Sequence, residues 1–218
     1  IYLLDFSIYK ESIYARKRGE SNFIYTVDVK LKDESKFLTG KDKNVAPSPD
    51  LTYKNPKIGT KKMSHRPVVI GFGPAGMYAA LLLAQMGYKP LVLERGEAVD
   101  DRVKSIDAFW TKGELNPQSN VQFGEGGAGT FSDGQLTSRV KDLRGRKVLT
   151  EFVNAGAPEE ILYKAHPHVG TDLLRDIVKN IRKEIIALGG EVRFKTQVKN
   201  FKISDGQLQG LVLTTGEE

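Results

Sequence analysis

The residues whose spacing carries the most chemistry are Gly71, Gly73 and Gly76, in the run Val68-Val69-Ile70-Gly71-Phe72-Gly73-Pro74-Ala75-Gly76. Three glycines at this spacing, between a β-branched run and an Ala/Leu-rich stretch, make a turn that brings a dinucleotide pyrophosphate to a helix N-terminus. Gly71 permits the tight turn out of a strand. Gly73 has no side chain, so the backbone can approach the phosphates. Gly76 lets the following helix pack closely on the sheet. The first helical turn then offers unpaired N–H groups and a partial positive charge. Glu94 follows Gly76 by 18 residues, at the end of the next apolar run, Leu91-Val92-Leu93. From there its carboxylate accepts hydrogen bonds from the adenosine ribose hydroxyls. Its charge disfavours a 2′-phosphate, and so NADP, at this position.

A second segment, Gly124-Glu125-Gly126-Gly127-Ala128-Gly129-Thr130-Phe131-Ser132, is dense in glycine yet flanked by Phe123 and Phe131. Its backbone N–H groups can lie against a flat ring or a phosphate. Glu125 is the acidic residue nearest such a ring. Ordering the backbone is its first reading, and accepting a proton its second. His166 and His168 are two apart and would share a face on a strand. With no third ligand near them in sequence they make a poor metal site, and no metal is expected. Ser132-Asp133 has no histidine at a suggestive position, and Asp133-Gly134 reads as a turn. No catalytic residue is nominated, because a redox cofactor would carry the reaction itself.

The elements that must position these groups follow from periodicity. Val68-Val69-Ile70 and Leu91-Val92-Leu93 read as short buried parallel strands. Met77 to Met86 reads as a helix stopped at Gly87. Residues 97–110 look helical, with Val103, Ile106, Phe109 and Trp110 on one side and the two aromatics in the core. Residues 147–155 read as a helix ended by Gly156, and Pro158 opens a helical turn. Thr171 to Leu188 is the clearest long helix, with Leu174, Ile177, Val178, Ile181, Ile185 and Leu188 in one apolar stripe. Gly170 or Thr171 caps its start, and Gly189-Gly190 ends it. Three short strands follow, at 191–195, 198–203 and 208–213, with Asp205-Gly206 as a hairpin turn. Ahead of all this, Phe23 to Leu31 alternates as a half-buried strand, and Leu3 to Tyr9 is a weaker strand.

The chain has 218 residues and no cysteine, which excludes disulfides, thiolate zinc sites and redox thiol pairs. Its net charge of +6 lies wholly in residues 1–66, with 14 Lys/Arg against 8 Asp/Glu, while residues 67–218 hold 19 of each. The excess is spread over Arg16-Lys17-Arg18, Lys41, Lys43, Lys54, Lys57 and Lys61-Lys62, as on a solvated surface, and no nucleic-acid partner is expected. The longest apolar run, Met77 to Ala84, is far short of the ~20 residues that span a bilayer. Without a signal peptide the expected location is the cytoplasm. Residues 33–66, with Pro47, Pro49 and Pro56, have linker chemistry. Two parts are expected: a small α+β domain with its linker at 1–62, and an α/β domain from 63 to 218.

The glycine loop alone does not choose between NAD and FAD. Pro74-Ala75 inside the loop and Glu94-Arg95-Gly96 after the second strand look like flavoprotein sequences. Asn120-Val121-Gln122-Phe123-Gly124-Glu125-Gly126-Gly127-Ala128-Gly129-Thr130-Phe131-Ser132-Asp133-Gly134 resembles the signature of a family of uncharacterised FAD-dependent dehydrogenases, within the glutathione-reductase-like flavoproteins. Ala165-His166-Pro167-His168-Val169-Gly170-Thr171-Asp172 is similar to a second block of that family. Ser12 to Lys17 with Tyr25 to Val29 resembles its small N-terminal domain. Gln135 stands where the family pattern has lysine.

The resemblance implies a Rossmann-like FAD-binding domain of glutathione-reductase type, incomplete here and continuing in a longer chain. It implies FAD held at the pyrophosphate by Gly71, Gly73, Pro74, Ala75 and Gly76 and at the ribose by Glu94, flanked by Arg95. Gly126, Gly127, Ala128, Gly129 and Thr130 would line the flavin side, and the Val198 backbone would meet the adenine. It implies an oxidoreductase acting on a small-molecule substrate or electron partner, with NAD or NADP possible as second carrier. Two other readings stay open: an NAD-dependent dehydrogenase using the same loop, and a non-enzymatic nucleotide-binding module with a basic N-terminal segment.

Overall fold

Where apolar residues alternate, the chain makes strands; where they recur every three or four residues, it makes helices. The computed structural model describes residues 2–17, 19–136 and 142–218, with the side chains at 16, 17 and 20 not described. Arg18 of the basic run therefore lies outside the described residues. The fold is mixed α/β, with a small parallel three-stranded sheet, antiparallel hairpins and, among the described residues, four α-helices. No described helix is long and apolar enough to cross a membrane.

The chain divides into two compact units. The first takes Ile1–Asn55, Gln135–Asn154 and Pro158–His168, a discontinuous grouping that a single cut near residue 62 does not foresee. Its sheet is the antiparallel pair of β1 (Leu3–Lys17) and β2 (Glu20–Leu31). The connector expected after Tyr9 is strand instead. Cross-strand pairs such as Ile13 with Phe23 extend the hairpin, and Tyr25 Oη donates to Glu11 Oε2 at 2.9 Å. Residues 37–67 hold no helix or strand.

The second unit takes Pro56–Gly134, Ala155–Ala157 and Val169–Glu218. It begins with β3 (Val68–Ile70), α1 (Pro74–Gln85), β4 (Leu91–Leu93) and α2 (Val99–Lys112). After α3 (Leu143–Asn154), which belongs to the first unit with the 3₁₀ turn Glu159–Leu162, come α4 (Thr171–Ala187), β5 (Glu191–Arg193), β6 (Val198–Ser204) and β7 (Gln207–Leu213). The parallel order is β3-β4-β5, with Val69 opposite Val92 and Val92 opposite Val192. Helices α1 and α4 pack on each other and on this sheet. Met77, Ala80, Leu81 and Ala84 of α1 and Leu174, Ile177, Val178, Ile181 and Ile185 of α4 are buried in the core.

Four expectations are corrected. β3 is an edge strand among the described residues, so Val68 and Ile70 are exposed rather than buried. α2 turns its Val99–Arg102–Ile106 face inward, which leaves Phe109 at the surface and Trp110 65% exposed instead of in the core. Leu188 falls at the C-cap of α4, where the stripe has ended, and is exposed. α3 starts at Leu143, four residues before the expected Lys147. Asp205 and Gly206 both have positive φ, +52° and +73°, as the two central residues of a type I′ hairpin turn require.

Candidate functional site

The three glycines of the loop have three different physical reasons. Gly71 leaves β3 with φ +92°, a conformation that strains other residues. Gly76 stands where a Cβ would be 2.0 Å from the Gly71 carbonyl oxygen, so helix and loop approach as only glycine allows. Gly73, the N-cap of α1, has φ −72°, and a Cβ there would meet nothing nearer than Gly127 Cα at 3.9 Å. Neither strain nor packing calls for glycine at 73. What a side chain there would take up is space in a cavity of about 370 Å³, lined by Gly71, Gly73, Glu94, Arg95, Gly127 and Val198 among others.

The helix behind this cavity starts with Pro74 at N1, and its first intrahelical bond runs from Met77 N–H to Gly73 O at 2.9 Å. The N–H groups of Ala75 and Gly76 precede that bond, so helix geometry gives them no intrahelical acceptor. They add partial positive charge at the N-terminus of α1, next in sequence to Gly73, which lines the cavity.

Glu94 is buried, and each carboxylate oxygen takes one backbone N–H: Oε2 from Phe72 at 2.6 Å and Oε1 from Gly96 at 2.8 Å. The side chain therefore ties the glycine turn after β3 to the turn after β4. A carboxylate has about four acceptor positions, so both oxygens keep capacity for ligand hydroxyls. Beside it, the Arg95 guanidinium lies over the Phe123 ring at 4.1 Å, with Nε donating to Gln118 Oε1 and Nη2 to Pro117 O, both at 3.1 Å. Past β5 the backbone runs alongside residues 94–96. Glu94 N–H donates to Arg193 O, Lys195 N–H to Gly96 O and Thr196 N–H to Glu94 O, all at 2.9 Å. This ladder delivers Val198 to the cavity wall.

The glycine-dense segment forms a 3₁₀ turn, Gly127–Phe131, entered through Gly126 at φ +78°. Gly126 N–H donates to Phe72 O at 2.8 Å, and a Cβ on Gly127 would be 3.2 Å from Gly73 Cα. The segment is thus pressed against the first glycine loop. Thr130 is buried and its hydroxyl donates to Glu125 O at 3.1 Å. Ala128 and Gly129 are exposed.

Of the residues picked out in the sequence, the cavity brings together Gly71, Gly73, Glu94, Arg95, Gly127 and Val198. Pro74, Ala75, Gly76, Gly126, Ala128, Gly129 and Thr130 stand outside the lining. His166 and His168 are exposed, and among the described residues no group of three or more His, Cys, Asp or Glu could hold a metal.

Sequence reasoning missed Arg102, which is fully buried. Burial pulls its guanidinium down to about 10, against the opposing pull of Glu94 and Glu125. The available signal was its phase: it lies three residues after Val99 and four before Ile106, on the apolar stripe of α2. Glu125 is also fully buried, and its first reading as a backbone-ordering group matches its bond from Val99 N–H at 2.7 Å. Burial raises its carboxyl above the usual range. Arg182 Nε lies 3.2 Å from Oε1 as an ion pair, off the line of a hydrogen bond, so Oε1 keeps no hydrogen-bond partner.

No family model matches the chain. It is 50% identical over 207 residues to a protein of Clostridium beijerinckii that carries the name "Uncharacterized protein". The match covers 94% of this chain and 39% of that protein, so the chain spans about two fifths of the relative's length.

Proposed function

We propose that the chain is the dinucleotide-binding portion of an FAD-dependent oxidoreductase, with a Rossmann-like domain of glutathione-reductase type. The observation that carries the reading is Gly73: a glycine with ordinary φ, where a Cβ would make only an ordinary contact, with Gly127 Cα at 3.9 Å, at a helix N-cap that lines a cavity. The residues present fit the cofactor. Gly71, Gly73 and Gly76 shape a loop that a pyrophosphate can approach, and the Ala75 and Gly76 amides supply donors. Glu94 would hold the ribose hydroxyls with the acceptor capacity left beyond Phe72 and Gly96 N–H, and its charge would repel a 2′-phosphate. Arg95, already stacked and hydrogen-bonded, would bound the ribose side, and the Val198 backbone the adenine side. Gly127 would let the ligand lie close to the glycine-dense segment.

Bound FAD would supply hydride or electron transfer. This chain's own residues bind it, orient it and keep its charged centre against the α1 N-terminus. The substrate would be a small molecule or electron partner, met by the whole protein. The same loop and carboxylate also suit NAD, and titration calorimetry of the full-length protein separates the two. Binding of FAD and ADP, with NAD weaker and NADP weakest, is expected. Preference for NAD over FAD would favour the dehydrogenase reading instead, and indifference to all four would remove both.

A further inference from the structure

Behind the cavity lies a pair of buried charges that would touch no ligand. Arg102 on α2 donates from Nε to Asn120 O at 2.8 Å, from Nη1 to Glu125 O at 2.6 Å and from Nη2 to Val121 O at 2.8 Å. All three carbonyls belong to the loop that leads into Gly126–Thr130. Glu125 answers from that loop: its Oε2 accepts Val99 N–H at 2.7 Å, three residues before Arg102 on the same helix. Ala98, the N-cap of α2, has no side-chain acceptor of its own. Helix and loop therefore hold each other. The fit is close, since a Cβ on Gly124 would stand 2.6 Å from Arg102 Cδ. The Phe131 ring covers the guanidinium, with its centroid 4.7 Å away. On its other side the same loop is pinned by Gly126 N–H to Phe72 O, and Gly127 lies against Gly73. A planar guanidinium can reach three carbonyls in one plane; an ammonium, a point on a flexible stem, cannot.

We infer that Arg102 and Glu125 are positioning residues that hold the Gly124–Thr130 backbone in its ligand-ready place before a dinucleotide arrives. This rests on the reading of the cavity as a dinucleotide site. The test uses the full-length protein with ADP as the probe in titration calorimetry, beside circular dichroism and melting. Arg102→Lys is expected to fold cooperatively and bind ADP at least about tenfold more weakly, the loss of about one well-made hydrogen bond. Glu125→Gln, which keeps an acceptor for Val99 N–H, is expected to lose less than Glu125→Leu. A folded Arg102→Lys with wild-type affinity, or a Glu125→Gln as weak as Glu125→Leu, overturns the inference.

Hydrogen exchange on the unliganded wild type decides the matter even where a variant fails to fold. The amides of Glu125 and Gly126, bonded to Glu97 O and Phe72 O, are expected to exchange slowly without ADP. ADP binding with fast amides overturns the inference alone. Slow amides with no ADP binding overturn the dinucleotide reading, and the inference with it.

Discussion

Gly73→Ala separates a glycine kept for the fold from one kept for a ligand. At φ −72° an alanine is unstrained, and its Cβ would meet nothing closer than 3.9 Å. Alanine is a poorer N-cap than glycine, while it also narrows the unfolded ensemble. The two effects are opposite and of similar size, leaving a net change within about 0.5 kcal/mol. Gly76→Ala is the contrast. Its Cβ would sit 2.0 Å from the backbone oxygen of Gly71, so helix and loop must separate, at a cost of at least about 1–3 kcal/mol. Binding reverses the order of interest. A methyl at 73 enters the space proposed for the pyrophosphate, and an overpacking penalty of about 1–3 kcal/mol there weakens ADP by roughly ten- to hundredfold. Chemical denaturation without ligand gives the first quantity and titration calorimetry with ADP the second. Gly73→Ala with wild-type ADP affinity refutes the assignment of the cavity. Gly73→Ala that loses several kcal/mol refutes the claim that the fold does not need this glycine.

Glu94→Gln keeps one acceptor for the Phe72 and Gly96 amides and sets a donor against the other. It should cost about 1–3 kcal/mol in denaturation and relax the discrimination against 2′-phosphorylated nucleotides; unchanged stability and unchanged NADP rejection count against it. Because burial raises the Glu125 carboxyl, the folded state holds that proton to higher pH than the unfolded chain. The stability of wild type relative to Glu125→Gln is then fully present below the unfolded carboxylate value and falls as pH rises through the folded one; paired melts from about pH 4 to about pH 8 read the slope, and a flat or opposite slope contradicts it. Gly206→Ala strains a residue at φ +73° in open space, so it should cost about 1–2 kcal/mol and leave ADP affinity unchanged, a control for stability loss alone.

Local pattern carried much of this molecule. The Gly71–Gly76 loop, the strand to Leu93 and the Glu94 position all rest on short-range spacing, and the structure draws Gly71, Gly73, Glu94 and Val198 around one cavity. The stripe of α4 was legible because five branched residues recur at helical spacing over seventeen residues. The phase of α2 was not. Phe109 and Trp110 outweigh Arg102 on any hydrophobicity count, yet three carbonyls from residues 120–125 make a buried arginine tolerable there. That compensation comes from a loop some twenty residues away and leaves no mark on the helix itself. The second carboxylate role of Glu94, clamping two backbone amides, was hidden for the same reason: it depends on where the Gly71–Gly73 turn lies in space. The discontinuous first unit likewise depends on long-range contact, which periodicity does not encode.

The most direct measurement is the visible absorption spectrum of the full-length protein as purified, followed by identification of whatever small molecule denaturation releases. The account predicts a yellow protein with flavin bands that releases FAD. A colourless protein that takes up NAD in this cavity in preference to FAD, or one that binds neither, would contradict it.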